Sequence, residues 1–257
     1  RLRRETYEKI YGKRHSCPEL LEQAVYGVTE LKRDEIRKAK LIANPGCYVI
    51  TGLLGLYPLL KENMIELQYI PINAINGMTG ADSKPSRDTM QTRVHGNILS
   101  YNMEGHRHSG EFEEKMAEFT GQQPVVNFNT AHGDFTTGIH LVASPIAKEK
   151  YKAELTRRRL LDIYNDYYRN EKFIRINNRE KTSGGTSKVY DVYPQIRNIQ
   201  GTNFCDIGID YDAERGIIKV IAVADNLVRG SVGSAIQNMN LMRGFDEGEG
   251  LRMYSGL

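Results

Sequence analysis

The sequence predicts an α+β fold in which an antiparallel or mixed sheet carries helices on one face. Residues 201–210 and 217–224 alternate between apolar and polar side chains around a turn at 212–216, which predicts a β-hairpin. Residues 49–57 are apolar on every side, which predicts a helix buried in the core. With 257 residues the chain is long enough to build a large core between these layers.

The first half of the chain leads into this core helix. Residues 5–12 and 18–38 carry mixed charges and predict short surface helices and loops, followed by a short buried strand at 41–43. Beyond the core helix, residues 66–77 alternate and predict a strand. Residues 77–85 are rich in turn formers and predict a loop.

The second half predicts further strands and helices. In chain order they are strands around His132 and His140, a charged helix over 148–170, a strand over 173–176, a turn over 182–186, the hairpin and a last helix that begins near Val228. The alternating strands are typical of a sheet with one covered face.

Composition restricts the partners and the compartment. The 35 basic and 32 acidic residues leave a net charge of only +3 and are dispersed, so no nucleic acid partner is expected. Cys17, Cys47 and Cys205 form neither a metal-ligand spacing nor an even disulfide set, which indicates a reducing, cytoplasmic location and no metal site. No apolar run approaches the ~20 residues of a membrane-spanning helix, and no signal peptide is visible.

Cys47 is the first candidate for chemistry. It follows a Pro45-Gly46 turn and stands at the first turn of the predicted core helix. Unpaired backbone amides and the helix dipole stabilise a thiolate there, and the thiolate is the nucleophilic form. The alternative is a small core residue, since free cysteine is often buried. Neither Cys17 nor Cys205 is predicted at a helix start.

The predicted loop over 77–85 is a second candidate. Thr79, Gly80, Ser83 and Lys84 together favour an anion held by backbone amides and a lysine, although a plain connection explains the composition equally well.

Two histidines form a third candidate. His106 and His108 precede a helix over 111–119, for which Ser109 is the expected N-cap. The pair is either a solvated loop or the partner of a remote cysteine nucleophile.

Small residues mark the last helix. Gly230 and Gly233 lie in its first turns, where glycine is unfavourable unless another backbone or a ligand approaches closely. Asn238 adds an amide suited to bonding a planar carboxamide. Tight helix packing is the alternative.

Five stretches together resemble the N-acetyl-γ-glutamyl-phosphate reductases of arginine biosynthesis, and the resemblance spans nearly the whole chain. In chain order they lie at 1–12, at 43–48 (Ala-Asn-Pro-Gly-Cys-Tyr), at 105–111 (Gly-His-Arg-His, then Glu111), at 201–208 (Gly-Thr-Asn-Phe-Cys-Asp-Ile-Gly), and at 225–245 (from Asp-Asn-Leu-Val-Arg-Gly to Gly-Phe).

The resemblance implies an NADP-dependent reductase of a small acyl phosphate. Cys47 expels phosphate and forms a thioester, and NADPH reduces the thioester to the γ-semialdehyde. His106 is the implied acid or base, and Glu111 the residue that orients it. The implied substrate contacts are Arg107, Lys84, Thr79 and Tyr101, and the implied nicotinamide contacts are Gly230, Gly233 and Asn238.

The resemblance also implies a domain organisation. No strand followed by a GxGxxG turn and a helix is present, so the expectation is the catalytic portion of a longer enzyme. Residues 1–45 would end a Rossmann nucleotide-binding half, and residues 46–225 would form a catalytic and dimerisation domain. Residues 226–257 would return as a helix that packs on the Rossmann domain. A homodimer or homotetramer is implied.

Two departures and two alternatives accompany the resemblance. Val49 stands where the family usually has proline, and Thr137 stands where it usually has an arginine, which affects substrate recognition. One alternative is a reductase for an aminoadipyl or glutamyl phosphate linked to a carrier protein. The other is a non-catalytic oligomerisation module.

Overall fold

A seven-stranded mixed sheet with helices on one face organises the structure, as the sequence predicts. The computed structural model describes residues 1–81, 84, 86–180 and 190–253. The strands are β1 (Val25–Tyr26), β2 (Ile42–Ala43), β3 (Ile70–Gly77), β4 (Ile98–Tyr101), β5 (Val126–Gly133), β6 (Ile139–Ala143), β7 (Ile174–Ile176), β8 (Cys205–Asp212) and β9 (Ile217–Ala224).

The large sheet has the strand order β4-β5-β3-β6-β9-β8-β7. The pairs β3–β5 and β7–β8 are parallel, and the other neighbours are antiparallel. Strands β1 and β2 form a separate parallel pair. The predicted hairpin is present as β8–β9, but the first of its strands begins only at Cys205.

Nine α-helices are described, together with three 3₁₀ turns and one π-helical turn (Val228–Val232). The helices are α1 (Arg4–Tyr11), α2 (Pro18–Gln23), α3 (Thr29–Lys38), α4 (Cys47–Lys61), α5 (Gln91–Val94), α6 (Arg107–Thr120), α7 (Glu149–Lys152), α8 (Arg157–Tyr168) and α9 (Gly233–Arg243). No helix in these described segments is long and apolar enough to cross a membrane.

Helix α4 is the predicted core helix. It packs on β6, β8 and β9 and contacts α6 and α8 on its other sides. The buried hydroxyls of Tyr164 and Tyr168 donate to the carbonyl oxygens of Gly55 and Leu54 at 2.6 and 2.5 Å. These bonds fix α4 against α8, and they therefore fix the position of Cys47 at its first turn.

Two predicted boundaries are wrong because side-chain caps begin helices where periodicity alone does not, and a third helix start, at Cys17, was not predicted. The helix predicted over 148–170 is two helices, since Thr156 accepts a hydrogen bond from the amide of Arg159 and starts α8. Helix α6 begins at Arg107, and His106 rather than Ser109 is its N-cap. Cys17 lies at a helix start after all, as the N-cap of α2. The turn predicted over 182–186 lies outside the described residues.

The first and last segments of the chain pack on each other. Helix α3 lies against α9. The Thr29 hydroxyl donates to the Asn238 side-chain oxygen at 2.8 Å, and Arg33 binds the carboxylate of Glu247 at 3.0 Å. These contacts hold the β1–α3–β2 unit against the end of the chain, next to the start of α4.

Candidate active site

A cavity of about 950 Å³ opens at the first turn of α4, beside the carboxyl ends of β3 and β5. The structure brings five of the predicted site residues into its wall. They are Cys47, Thr79, Tyr101, His106 and Arg107. Lys84, Glu111, Gly230, Gly233 and Asn238 do not line it.

Cys47 is the first residue of α4, as the sequence predicts, but its thiol is not a thiolate at rest. Burial raises the pKa of Cys47 to about 11, and the backbone amides of Tyr48 and Cys47 lower it by less. The amides at the helix start thus act in the predicted direction, but burial outweighs them. Gly230 packs directly behind, since a Cβ at Gly230 would lie 2.6 Å from the Cys47 Cβ.

His106 is the N-cap of α6, and this fixes its protonation. Its Nδ1 accepts a hydrogen bond from the backbone amide of His108 at 3.1 Å. An acceptor nitrogen carries no proton, so the neutral ring is protonated at Nε2. Burial, with the nearby charges of Arg107 and His132, lowers the pKa of His106 to about 4. At neutral pH the imidazole is thus an uncharged hydrogen-bond donor in the cavity wall.

Glu111 does not orient His106, contrary to the prediction. Its Oε1 accepts hydrogen bonds from the Tyr26 hydroxyl at 2.7 Å and from the Gly46 amide at 3.2 Å. Gly46 is the residue before Cys47 and the N-cap of α4. Glu111 therefore positions the turn that presents the nucleophile.

His108 packs against the same turn. It is buried, and its Nε2 would lie 2.4 Å from a Cβ placed on Gly46. Burial first, and then the charges of His106 and Arg107, lower its pKa to about 3, so the ring is neutral. Only glycine fits between this imidazole and Cys47.

Two aromatic rings and a histidine form another part of the wall. The hydroxyls of Tyr48 and Tyr101 lie 3.0 Å apart, and the Tyr101 ring stacks on His132 with the centroids 4.4 Å apart. Sequence reasoning gave His132 no role in the site. It appears there because β4 pairs with β5, and the Leu99–His132 register places Tyr101 near it.

Cationic and polar side chains line the remaining wall. Arg107 is joined there by Arg93, which sequence reasoning missed because it follows no motif. Thr79 lines the cavity, but its hydroxyl donates to the Thr136 carbonyl at 2.7 Å and accepts from Asn226 at 2.9 Å, so it holds the loop. Lys84 is exposed. Ser83 of the predicted anion loop lies outside the described residues.

Asn76 is a further residue that the sequence reasoning missed. It lies on the helix-facing side of β3, in step with Ile70, Ile72 and Ala74. A polar residue at an apolar-face position was a signal that could have identified it.

The predicted cofactor residues contact the chain itself. Asn238 donates to the Gly27 carbonyl at 3.0 Å and to the Asn44 side-chain oxygen at 3.2 Å, so a cofactor contact would require these bonds to break. A Cβ on Gly233 would lie 2.4 Å from the Asn203 side-chain oxygen. Gly230 lies against Cys47.

The turn between β1 and α3 has the strand–turn–helix order of a dinucleotide site, but it is filled. In such sites glycines let a pyrophosphate reach the helix N-terminus. Here a Cβ on Gly27 would lie 2.5 Å from Asn238, and the Glu30 carboxylate is in the first turn of α3. This turn therefore does not offer a pyrophosphate the space that such a site needs. The contact of Gly230, Gly233 and Asn238 with the nicotinamide stays a prediction.

A cluster of three carboxylates lies away from this cavity, with ligand atoms of Glu30, Glu171 and Glu247 within 4.8 Å of one another. Arg33 bonds Glu171 and Glu247, and Arg229 bonds Glu30. The cluster therefore already has its cations within the chain.

Comparison with known proteins gives consistent matches. Residues 47–226 match the family model described as "Semialdehyde dehydrogenase, dimerisation domain". The N-acetyl-gamma-glutamyl-phosphate reductase of Geobacillus sp. (strain WCH70) is 38% identical over 250 residues, which are 97% of this chain and 68% of that protein. The reductase of the same name from Halothermothrix orenii is 38% identical over 247 residues, 96% of this chain and 67% of the relative.

Solved structures show the same fold at lower identity. Aspartate semialdehyde dehydrogenase II from Vibrio cholerae superposes with a TM-score of 0.64 at 16% identity, covering 87% of this chain and 69% of that one. Aspartate semialdehyde dehydrogenase from Francisella tularensis gives 0.61 at 15% identity, covering 86% and 71%.

Proposed function

Because the chain belongs to the N-acetyl-γ-glutamyl-phosphate reductase family, we propose that it takes part in reducing N-acetyl-γ-glutamyl phosphate to N-acetylglutamate semialdehyde with NADPH. The observation that carries the proposal is the position of Cys47. It begins the core helix in the wall of a cavity that also holds His106 and Arg107.

The acyl-transfer step needs only residues of this chain and the substrate. The Cys47 sulfur attacks the γ-carbonyl carbon and forms a thioester, while the bond from that carbon to the phosphate oxygen breaks. The leaving phosphate takes the bonding pair, and the thiol proton ends on it as hydrogen phosphate. Because the thiol is protonated at rest, the substrate itself supplies the base.

His106 acts in this step as a donor rather than as a base. Its Nδ1 is occupied by the His108 amide, so Nε2–H is the group available to the substrate. A neutral imidazole donor polarises a carbonyl and stabilises the oxyanion that forms on it.

Arg107 and Arg93 match the two anionic groups of the substrate. Both line the cavity, and a guanidinium forks onto a carboxylate or a phosphate with two hydrogen bonds. We assign one cation to the acyl phosphate and the other to the α-carboxylate.

The second half of the reaction needs a hydride at the thioester carbon and a proton on the departing sulfur, and NADPH, when bound, would supply the hydride. The family supports this cofactor. The turn at Gly27 is filled, so the steps assigned to the side chains of this chain are those of acyl transfer.

Phosphate release in the absence of NADPH tests the proposal. When the chain is mixed with N-acetyl-γ-glutamyl phosphate, it should release about one phosphate per Cys47 thiol in a burst above the spontaneous rate. It should also gain the mass of the acyl group. Cys47→Ser should remove both signals, and the matched Cys17→Ser variant should retain them. Equal bursts from Cys47→Ser and wild type would refute the proposal. A burst only with a carrier-linked acyl phosphate would favour the related reductase.

We further propose a homodimer formed through the sheet face opposite α4, in cytoplasm that keeps the thiols reduced. Asn73 and Asn129 lie on that face, and the match to a dimerisation domain supports its pairing. A strict monomer in light scattering at micromolar concentration would contradict this assembly.

A further inference from the structure

Asn76 lies beside the nucleophile in a buried position. It is the last residue but one of β3, and only 1% of its surface is exposed. Its side-chain amide nitrogen, Nδ2, lies 3.9 Å from the Cys47 sulfur, within the range of a hydrogen bond to sulfur. Its Oδ1 is buried and unpartnered among the described residues.

This placement is tightly constrained. A Cβ on Gly80 would lie 2.0 Å from the Asn76 Nδ2 and 2.6 Å from its Cγ, so the loop after β3 closes directly over the amide. The backbone of that loop is held by hydrogen bonds from Met78 and Thr79 to the carbonyls of Phe135 and Thr136. The carboxamide is thus confined between the loop and Cys47.

Packing does not account for an amide at this position. A leucine has nearly the same shape and leaves no buried oxygen unpaired, whereas buried polar atoms without partners are rare in proteins. Asn73, on the same strand, shows the ordinary arrangement, since it is exposed and accepts a hydrogen bond from Asn129 at 2.9 Å. The cost at Asn76 indicates that its N–H is needed at the sulfur.

We propose that Asn76 is a catalytic residue whose side-chain N–H donates to the Cys47 sulfur and stabilises the thiolate. The stabilisation acts when the sulfur attacks the acyl phosphate. It acts again when the sulfur leaves the tetrahedral carbon formed by hydride addition to the thioester. The inference rests on the proposed function, since it takes Cys47 as the nucleophile.

The charges around the sulfur make such a donor useful. Arg107 lowers the pKa of Cys47 and Glu111 raises it, while burial dominates both. His106 and His108 are neutral at the pH of the reaction, because burial lowers the pKa of each to about 4 and about 3. Neither imidazole therefore brings a positive charge to the thiolate.

The amide of Asn76 has two N–H groups, and one of them is enough for the sulfur. Burial raises the pKa of Tyr48 well above its usual value, and a hydrogen bond from Asn76 lowers it by less. The Tyr48 hydroxyl itself lies within hydrogen-bond distance of the Tyr101 hydroxyl and the Ala131 carbonyl. Asn76 is thus the neutral side-chain donor that the structure aims at the Cys47 sulfur.

Alkylation of Cys47 by iodoacetamide at pH 9, followed residue by residue with mass spectrometry, tests the proposal. Asn76→Leu removes the donor, and Asn76→Asp keeps the shape but places an anion beside the sulfur. Loss of one hydrogen bond to a charged group should raise the thiol pKa by about one unit and slow Cys47 alkylation about tenfold. Asn76→Asp should slow it further.

Two controls accompany these variants. Asn165→Leu makes the same change on α8, outside the cavity wall and away from the proposed dimer face, and should leave the Cys47 rate unchanged. Cys17, partly exposed, serves as an internal standard whose rate should not change in any variant. Gly80→Ala should slow Cys47 by displacing the amide without removing it.

A Cys47 alkylation rate for Asn76→Asp within twofold of wild type would overturn the proposal. This holds even if Asn76→Leu is slow, because the leucine would then act only by blocking iodoacetamide from the sulfur. If buried Cys205 becomes reactive in Asn76→Leu, the leucine has loosened the fold of that variant. The Cys47 rate of Asn76→Asp then tests the proposal by itself. The failure of the proposed function has a different signature, which is an equal phosphate burst from Cys47→Ser and wild type.

Discussion

Arg229 offers the sharpest test of what holds the nucleophile in place. It lies in the π-helical turn next to Gly230, which backs Cys47, and forms an ion pair with Glu30 of α3 at 2.5 Å. Neither side chain is exposed to solvent. Gln237 joins both partners, accepting from Arg229 at 2.7 Å and donating to Glu30 at 3.0 Å.

Replacing Arg229 with methionine leaves the Glu30 carboxylate buried with only uncharged hydrogen-bond donors, among them Gln237 and a backbone amide. Removal of one member of a buried ion pair costs about 3–5 kcal/mol of unfolding free energy, because the other charge stays desolvated. The double variant Arg229→Met/Glu30→Leu removes both charges and should recover most of this loss. Urea unfolding followed by circular dichroism measures both differences.

The pH dependence gives the prediction a second, signed test. Burial alone would raise the pKa of Glu30, but the charge and hydrogen bonds of Arg229 outweigh burial and lower it. In the wild type, the contribution of the pair is therefore present above the unfolded pKa of about 4.3 and is lost as the pH falls through the folded value. Without Arg229, burial raises the pKa, so the deficit of Arg229→Met should be largest at pH 7 and smaller at pH 5. A deficit below about 1 kcal/mol at pH 7, or one that grows at pH 5, would refute this reasoning.

Three further predictions concern the cavity. His106→Asn keeps a helix cap but removes the Nε2 donor, so phosphate release should fall about 10²–10³-fold. His95 and His140 lie outside the cavity wall, and His95→Asn and His140→Asn should leave phosphate release unchanged. Alkylation of Cys47 should accelerate about tenfold per pH unit between pH 8 and 10, since its pKa is about 11, and a flat profile would contradict this. Gly46→Ala places a Cβ 2.4 Å from the His108 Nε2, so the displaced thiol should form the thioester about 10²-fold more slowly, measured by mass spectrometry.

Sequence reasoning located the residues that local signals mark. Cys47 was predicted at the start of α4 because a Pro-Gly turn precedes it and an apolar run follows it. The structure confirms that position. His106 and Arg107 also lie in the cavity, next to the start of α6. Cys47 is found because a helix start is written in a few consecutive residues, whereas His106 and Arg107 come from the motif at 105–111 that carries the resemblance.

The partners of these residues could not be found in the same way. Glu111 reaches the Gly46 amide across 65 positions, and Arg93 enters the cavity from a short helix with no motif. Asn76 carried a signal in the alternation of β3, but its contact with Cys47 depends on how β3 lies beside α4. Such contacts are set by tertiary packing, which periodicity does not describe.

The state of the Cys47 thiol shows which effect prevails when local and tertiary effects compete. A helix N-terminus stabilises a negative charge by about 0.3–1 kcal/mol at an exposed site, less than one pKa unit. Burial shifts the pKa of a thiol in the opposite direction, by up to about 3–5 units for a fully buried group and by less for a partly buried one such as Cys47. Burial therefore prevails at Cys47, as its pKa of about 11 shows. A protonated thiol that meets an acyl phosphate needs no resident base, because the departing phosphate can take its proton. What the chain must provide is stabilisation of the sulfur during transfer, and the N–H of Asn76 lies at that atom.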